Sequence, residues 1–247
     1  MRLLARAALA ALLLSPAVAA AQFPPAKLEN LKVLPADIPV HALVDTMASF
    51  TRALGVRCTY CHVGEEGQPL ASYDFRSDEK PAKGTAREML RMVAAINGEY
   101  LPKLASRREP RIAVGCATCH RGVTEPRPLQ QQLLAAYDAA GADSAESVYR
   151  ALRARYYGRA AYDFGEVPLA DVATVLRSRG KLADAVRFYV LNTQLLPTSA
   201  FAFRQAADGQ LAAGDTAAAE TSLRRALAIN ANDAQAKGML TRLGRTP

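Results

Sequence analysis

The chain has 247 residues and a formal charge of +8; 50% of it is hydrophobic and 22% charged, with four cysteines, three histidines and no tryptophan. That length suits one or two domains with a real core, and the balance of apolar and charged residues excludes a polytopic membrane protein and a mostly disordered chain. The basic excess alone does not separate nucleic acid from an acidic protein surface as the partner.

Residues 1–21 read as a secretory signal. Arg2 and Arg6 give a basic start, Ala7 to Leu14 an apolar run too short to span a bilayer, and Ala19-Ala20-Ala21 a small-residue cleavage site before Gln22. The mature protein is therefore expected outside the cytoplasm, periplasmic or secreted, soluble or peripheral to the outer face of a membrane. Loss of Arg2 and Arg6 with the signal lowers the formal charge from +8 to +6.

Next, Val40 to Leu54 predicts an amphipathic helix closed by Gly55, with Val40, Leu43, Val44, Met47, Thr51 and Leu54 on one face. His41 lies about 120° away from Met47 around that helix and reads as a surface or rim histidine. Met47 itself is open to two readings, a core side chain or a metal ligand.

The cysteines follow as Cys58-Thr59-Tyr60-Cys61-His62 and Cys116-Ala117-Thr118-Cys119-His120. Every cysteine thus sits in a C-x-x-C-H motif, the attachment signature of c-type haem. Two thiols three residues apart on a short turn can add to the two vinyl groups of one haem, and the next histidine then lies under the ring as an iron ligand. A four-thiolate zinc site would not require a histidine after each pair. Thioredoxin-like pairs would sit in a βαβ pattern that is missing here. Plain disulfides leave the histidines unexplained. The reading is two covalently bound haem c groups, held by Cys58 and Cys61 and by Cys116 and Cys119, with His62 and His120 as proximal ligands.

Between the motifs a second helix is predicted from about Pro81 to Leu101, with Ser77, Asp78 and Glu79 supplying its cap and first-turn acids. Met89 and Met92 share its apolar face. Both can touch the second haem and only one can ligate it. Arg107, Arg108, Arg111, Arg121 and Arg127 cluster around the second motif, with Arg121 a candidate partner for a haem propionate.

The segments Phe50-Thr51-Arg52, Gly55-Val56-Arg57-Cys58-Thr59-Tyr60-Cys61-His62, Ser77-Asp78-Glu79-Lys80, Ala86-Arg87-Glu88-Met89-Leu90-Arg91-Met92 and Cys116-Ala117-Thr118-Cys119-His120-Arg121-Gly122 resemble, in order and separation, the cytochrome c subunit of the photosynthetic reaction centre. The resemblance runs from about Asn30 to Pro128. It implies that a methionine on the helix before each motif is the sixth ligand, so that Met47 pairs with His62 and Met89 with His120, leaving Met92 as packing on the second haem. The family carries four haems in two similar dihaem halves, and this chain matches one half. The family also has a histidine upstream of the second motif that serves the other half, and Leu101 to Val114 contains none.

Beyond Arg127-Pro128 the composition shifts to alanine, leucine, arginine and spaced glycines. Placing Gly180 on Gly214 gives a period of 34 that also pairs Ala173 with Ala207, Ala185 with Ala219, Tyr189 with Leu223 and Pro197 with Ala231. This resembles tetratricopeptide repeats, in which paired helices stack through small residues. The expected organisation is all-α: a signal at 1–21, a compact dihaem cytochrome c domain at 22–130, and a helical array at 131–247. The array divides into a degenerate pair at 131–165 around Gly141 and Gly158, repeats at 166–199 and 200–233, and a cap at 234–247.

The function expected is single-electron transfer through two His/Met-ligated haems, with no catalytic residue assigned. The competing classes are a dihaem peroxidase-like enzyme with one open iron site, and a scaffold subunit that docks protein partners through its repeats. Residues 22–130 carry 15 basic and 12 acidic side chains, and the propionates of two haems offset that small excess. Nucleic acid is therefore not expected as a partner. Redox proteins with acidic surfaces are, including a membrane oxidoreductase or a reaction-centre-like complex.

Overall fold

The computed structural model describes residues 22–25, 27–105 and 112–247. The expected signal at 1–21 and the arginines Arg107, Arg108 and Arg111 lie outside the described residues. The architecture is all-α. Among the described residues the one β-type feature is an isolated antiparallel bridge between Val63 and Asp74, and no helix is long and apolar enough to cross a membrane. The chain divides into two compact units, one up to Cys116 and the other from Ala117 to Pro247.

In the first unit α1 spans Val40–Leu54, as its hydrophobic spacing predicts. Its end is set by Gly55, whose φ of 67° is one that side chains with a Cβ resist. Gly55 N–H and Val56 N–H both donate to the Thr51 carbonyl, which closes the helix and turns the chain sharply back. A 3₁₀ turn at Cys58–Tyr60 follows at once, and His62 N–H donates to Cys58 O at 2.9 Å. Helix α2 spans Pro81–Ala95 and continues through a π turn at Ile96–Tyr100 into a 3₁₀ turn at Leu101–Lys103.

The start of α2 departs from the sequence expectation. Lys80 is its N-cap, Pro81 fills the first turn without needing a donor, and no side chain caps it. Ser77 Oγ instead accepts from Glu79 N–H at 3.1 Å, and Asp78 is drawn into ion pairs with Lys32, Lys83 and Arg87. A carboxylate facing three cations gains more from them than from one amide at a helix end.

The second unit opens with α3 (Cys116–Cys119, its first residue still in the first unit) and α4 (Leu129–Tyr156). Ala140 and Gly141 leave helical conformation inside α4, Gly141 with φ 79°, so α4 is two helices joined at a kink. Helices α5 (Glu166–Ser178), α6 (Leu182–Leu195), α7 (Ala200–Ala212), α8 (Thr216–Ile229) and α9 (Ala234–Arg242) complete the array. The positions paired at a period of 34 behave alike: Ala173 and Ala207, Ala185 and Ala219, and Tyr189 and Leu223 are all buried. Gly180 and Gly214 end α5 and α7 with φ of 74° and 83°.

One apolar cluster joins Leu129, Leu133 and Tyr149 of α4 to Leu169, Leu176 and Phe188, and a second joins Ala207, Leu223, Ala226, Met239 and Leu240. Gly209 lies against the Tyr189 ring so closely that a Cβ there would stand 2.5 Å from it. A buried leucine contributes about 1.5–3 kcal/mol relative to an exposed one, so these clusters dominate the stability of this unit.

Candidate haem sites

The return at Gly55 carries Cys58, Cys61 and His62 back beneath α1. There they line one cavity together with Met47, Leu43, Phe50 and Leu54 of that helix. The remaining wall comes from Leu31, Val33 and Leu34 of the extended N-terminal segment, from Phe75, and from Lys83, Ala86, Arg87 and Leu90 of α2. The space, open mouth included, is about 960 Å³. Cys58, Cys61 and His62 of the first motif and Met47, which the resemblance assigns to the same haem, thus line one cavity, and His41 is exposed.

The side chains suit a covalently held haem c. Cys58 and Cys61 are half-buried free thiols, and burial pushes the Cys61 thiol above its usual range. His62 is held as neutral imidazole: burial, with the Lys83 and Arg87 cations beside it, lowers its pKa to about 4. A neutral ring is the form that ligates a metal. Its Nδ1 is buried without a hydrogen-bond partner. The wall is otherwise mainly apolar, and of the cations in it Lys32, Lys83 and Arg87 pair with Asp78 and Arg57 with Glu66.

The polar framework around this cavity was not legible in the sequence. Asp78 accepts from Asn30 Nδ2 at 2.8 Å and lies 2.6 Å from Lys32 Nζ, 3.2 Å from Lys83 Nζ and 3.0 Å from Arg87 Nη1. Those partners hold its carboxyl well below the usual carboxylate range. Arg87 Nη2 also donates to Asn30 O at 3.2 Å, so the N-terminal wall is tied to α2. Lys80 Nζ donates to Thr59 O inside the first motif at 2.5 Å.

Of the second set of residues, Met89, Met92 and Cys116 belong to the first unit and Cys119, His120 and Arg121 to the second. On α2, Met89 and Met92 are 37% and 47% exposed, an unusual position for two methionines on an apolar face. The π turn carries Asn97, whose Nδ2 donates to Val114 O at 2.8 Å while its Oδ1 accepts from Val114 N–H at 2.7 Å. This two-bond clamp fixes the chain two residues before Cys116. Sequence reasoning missed it, since an asparagine within a helical pattern carries no mark of a distant backbone partner. In the second unit Cys119 is exposed, and His120 Nδ1 lies 3.0 Å from Val123 O. A carbonyl there fixes the proton on Nδ1 and leaves Nε2 as the ligating atom. Arg121 is exposed with φ 50°, and Arg127 pairs with Glu125 at 3.0 Å.

The family model of the photosynthetic reaction centre cytochrome C subunit matches residues 14–153, more than half of the chain. The chain belongs to that family. Membership in a reaction centre cytochrome c family implies covalently bound haem c and electron transfer, in keeping with the two C-x-x-C-H motifs. Among curated relatives, cytochrome c-554 of Chloroflexus aurantiacus is 41% identical over 68 residues, which is 28% of this chain and 14% of that protein. The photosynthetic reaction center cytochrome c subunit of Rubrivivax gelatinosus is 33% identical over 88 residues, 32% of this chain and 22% of that one. The matched segments thus span less than a quarter of either relative, and this family member shares only a part of their length.

Proposed function

We propose that this family member is an exported dihaem c-type cytochrome that passes single electrons between periplasmic or membrane-bound redox partners. Met47 and His62 ligate the iron of one haem, held by Cys58 and Cys61; Met89 and His120 ligate the other, held by Cys116 and Cys119. The observation that carries this reading is the single cavity lined by Met47, Cys58, Cys61 and His62.

The haem supplies a reversible one-electron couple. The protein's part is to set it. The two thioethers fix the porphyrin, the neutral His62 imidazole offers a strong ligand, and the Met47 sulfur favours the reduced state and so a higher potential. The apolar wall would keep water from a bound haem, and two protein ligands on each iron would leave no site for a substrate. His120, with Nδ1 committed to Val123 O, presents the same ligand chemistry. Met92, one turn from Met89 on the exposed face of α2, would pack on the second haem, and Arg121 is a candidate partner for one of its propionates.

The array from residue 131 onward is of the tetratricopeptide type. Support comes from the buried small residues repeated at 34 and from the close approach of Gly209 to Tyr189. Its role is to brace the cytochrome or to dock a protein partner, and the electron partners present acidic surfaces or belong to a membrane oxidoreductase or reaction-centre-like complex.

The test is Met47→Ala in the holoprotein. One of two Fe–S(Met) charge-transfer bands should vanish, one haem should turn high-spin, and its midpoint should fall. Retention of both bands overturns the ligand assignment. Ready binding of CO to a ferrous haem of the unmodified protein would instead favour the peroxidase-like enzyme.

A further inference from the structure

The loop between Tyr73 and α2 forms no helix or strand, yet it is fixed from both ends. At its start Asp74 N–H donates to Val63 O at 2.9 Å, one residue after His62, and the Asp74 carboxylate accepts from Arg76 N–H at 2.9 Å and Ser77 N–H at 3.0 Å. At its end the loop wraps the Lys83 ammonium. Lys83 Nζ donates to the carbonyls of Phe75 at 2.9 Å, Arg76 at 3.2 Å and Ser77 at 2.7 Å, and lies 3.2 Å from Asp78 Oδ1. Four consecutive residues thus converge on one ammonium whose side chain is 11% exposed. Between the two anchors stands Phe75. Its ring meets His62 edge-on, with centroids 5.0 Å apart at 68°, and is flanked by Tyr73 at 5.8 Å and Phe23 at 5.6 Å. Phe75 and Lys83 both line the cavity.

The chemistry of the clamp explains why a lysine occupies it. An ammonium radiates three N–H bonds from a point and can serve three carbonyls that face one another. A guanidinium spreads its donors over a rigid planar fork. Burial of the cation is offset by the carbonyls and by Asp78, which is itself held by Lys32 and Arg87. The clamp holds the Phe75 carbonyl itself, on the same residue whose ring meets the imidazole.

We propose that Lys83 is a positioning residue for the first haem: its ammonium shapes the 74–78 loop so that Phe75 packs on His62, fixing the ring plane and excluding water at the iron ligand. The proposal rests on His62 being that ligand. Lys83 therefore acts through Phe75.

The experiment uses the full-length holoprotein and first counts haem per chain by pyridine haemochrome. Fewer than two haems would sink the dihaem reading itself, apart from this proposal. With two haems present, the midpoint and the ferric EPR signal of the His62 haem are compared in Lys83→Met, Lys83→Arg, Phe75→Leu and the Lys83→Met/Phe75→Leu pair. The second haem of the same molecule is the internal reference. Water admitted at the ligand lowers the midpoint, so each single variant should lower it and broaden the EPR signal while the second haem stays unchanged. The pair should shift no further than its larger single variant. Additive shifts would mean that Lys83 acts independently of Phe75, and a Lys83→Arg protein indistinguishable from the unmodified one would mean that its charge alone suffices; either result would overturn the proposal. Lys83→Arg keeps the charge on a long side chain, so it carries the test if Lys83→Met does not fold.

Discussion

The two units are built on opposite plans. From Ala117 onward the chain closes its core with its own side chains: Leu133, Leu176, Phe188, Tyr189, Leu223 and Leu240 are all fully buried. Up to Cys116, the one buried apolar residue among those described is Ala53, although Leu43, Met47, Phe50, Leu54 and Leu90 line a shared cavity. Polar clamps tie that first unit together instead: Asp78 joins Lys32, Lys83 and Arg87, and Asn97 joins Val114. A small region that does not close its own core needs a staple, and a porphyrin held by two thioethers is one. One helical stretch of the chain is closed by its own packing, and the proposed reading makes the other depend on the haem it would frame.

The sharpest way to break this comparison is to deny the first unit its staple. A chain carrying Cys58→Ser, Cys61→Ser, Cys116→Ser and Cys119→Ser attaches no haem. Residues up to about 116 should become protease-sensitive while the array stays protected, and circular dichroism should keep one cooperative transition, that of the array. A first unit that remained protected under limited proteolysis would show that its framework folds without the ligand.

The converse change attacks the packed half. Leu223 is fully buried in α8, and Leu223→Ala should cost about 2–5 kcal/mol. Denaturant unfolding followed by far-UV circular dichroism should show the loss, while the haem absorbance should keep the unmodified midpoint. Equal shifts in both signals would mean that the halves unfold as one body, and the contrast would fail.

What the sequence made legible follows the same division. Helix α1 was readable to the residue because a local rule governs it, an apolar stripe ended by Gly55 in a left-handed turn. The joining of Met47 to Cys58, Cys61 and His62 follows from that turn, since a helix and its immediate return need no distant partner. The array was readable from its period, because each buried small residue recurs at the same place. Asp78 was misread as helix-capping because the pull of Lys32, Lys83 and Arg87 on it arises only in three dimensions. Lys83, Phe75 and Asn97 escaped notice for the same reason: their partners are carbonyls and rings, which leave no compositional trace.

A smaller test sharpens the role of those polar clamps. Asn97→Ala removes both bonds to Val114, and the loss should be about 1–3 kcal/mol for partly buried backbone groups left without a partner. On the proposed dihaem reading the effect should concentrate on the haem at Cys116 and Cys119, the first of which lies two residues beyond the clamp. Redox titration should then find its midpoint displaced and the first haem unmoved. If both midpoints move together, the clamp supports the whole unit and not one site.

The smallest effect concerns how the helices begin. In the first unit α1 and α2 start at Pro39 and Lys80 with no side-chain cap. In the array Ser199, Asp215 and Asp233 cap α7, α8 and α9, and Asp215 accepts from Ala218 N–H at 2.9 Å. Helices α4, α5 and α6 also start without a side-chain cap, so specification by caps belongs to the last three helices of the array. Asp215→Ala removes one such cap and should lower the array's stability by about 1 kcal/mol, and Asp215→Ser, which keeps an acceptor at the same reach, should restore most of it. Thermal unfolding of the two variants side by side makes the measurement. If Asp215→Ser is no better than Asp215→Ala, the carboxylate works through something other than the cap, and local specification of α8 fails as the reason for its stability.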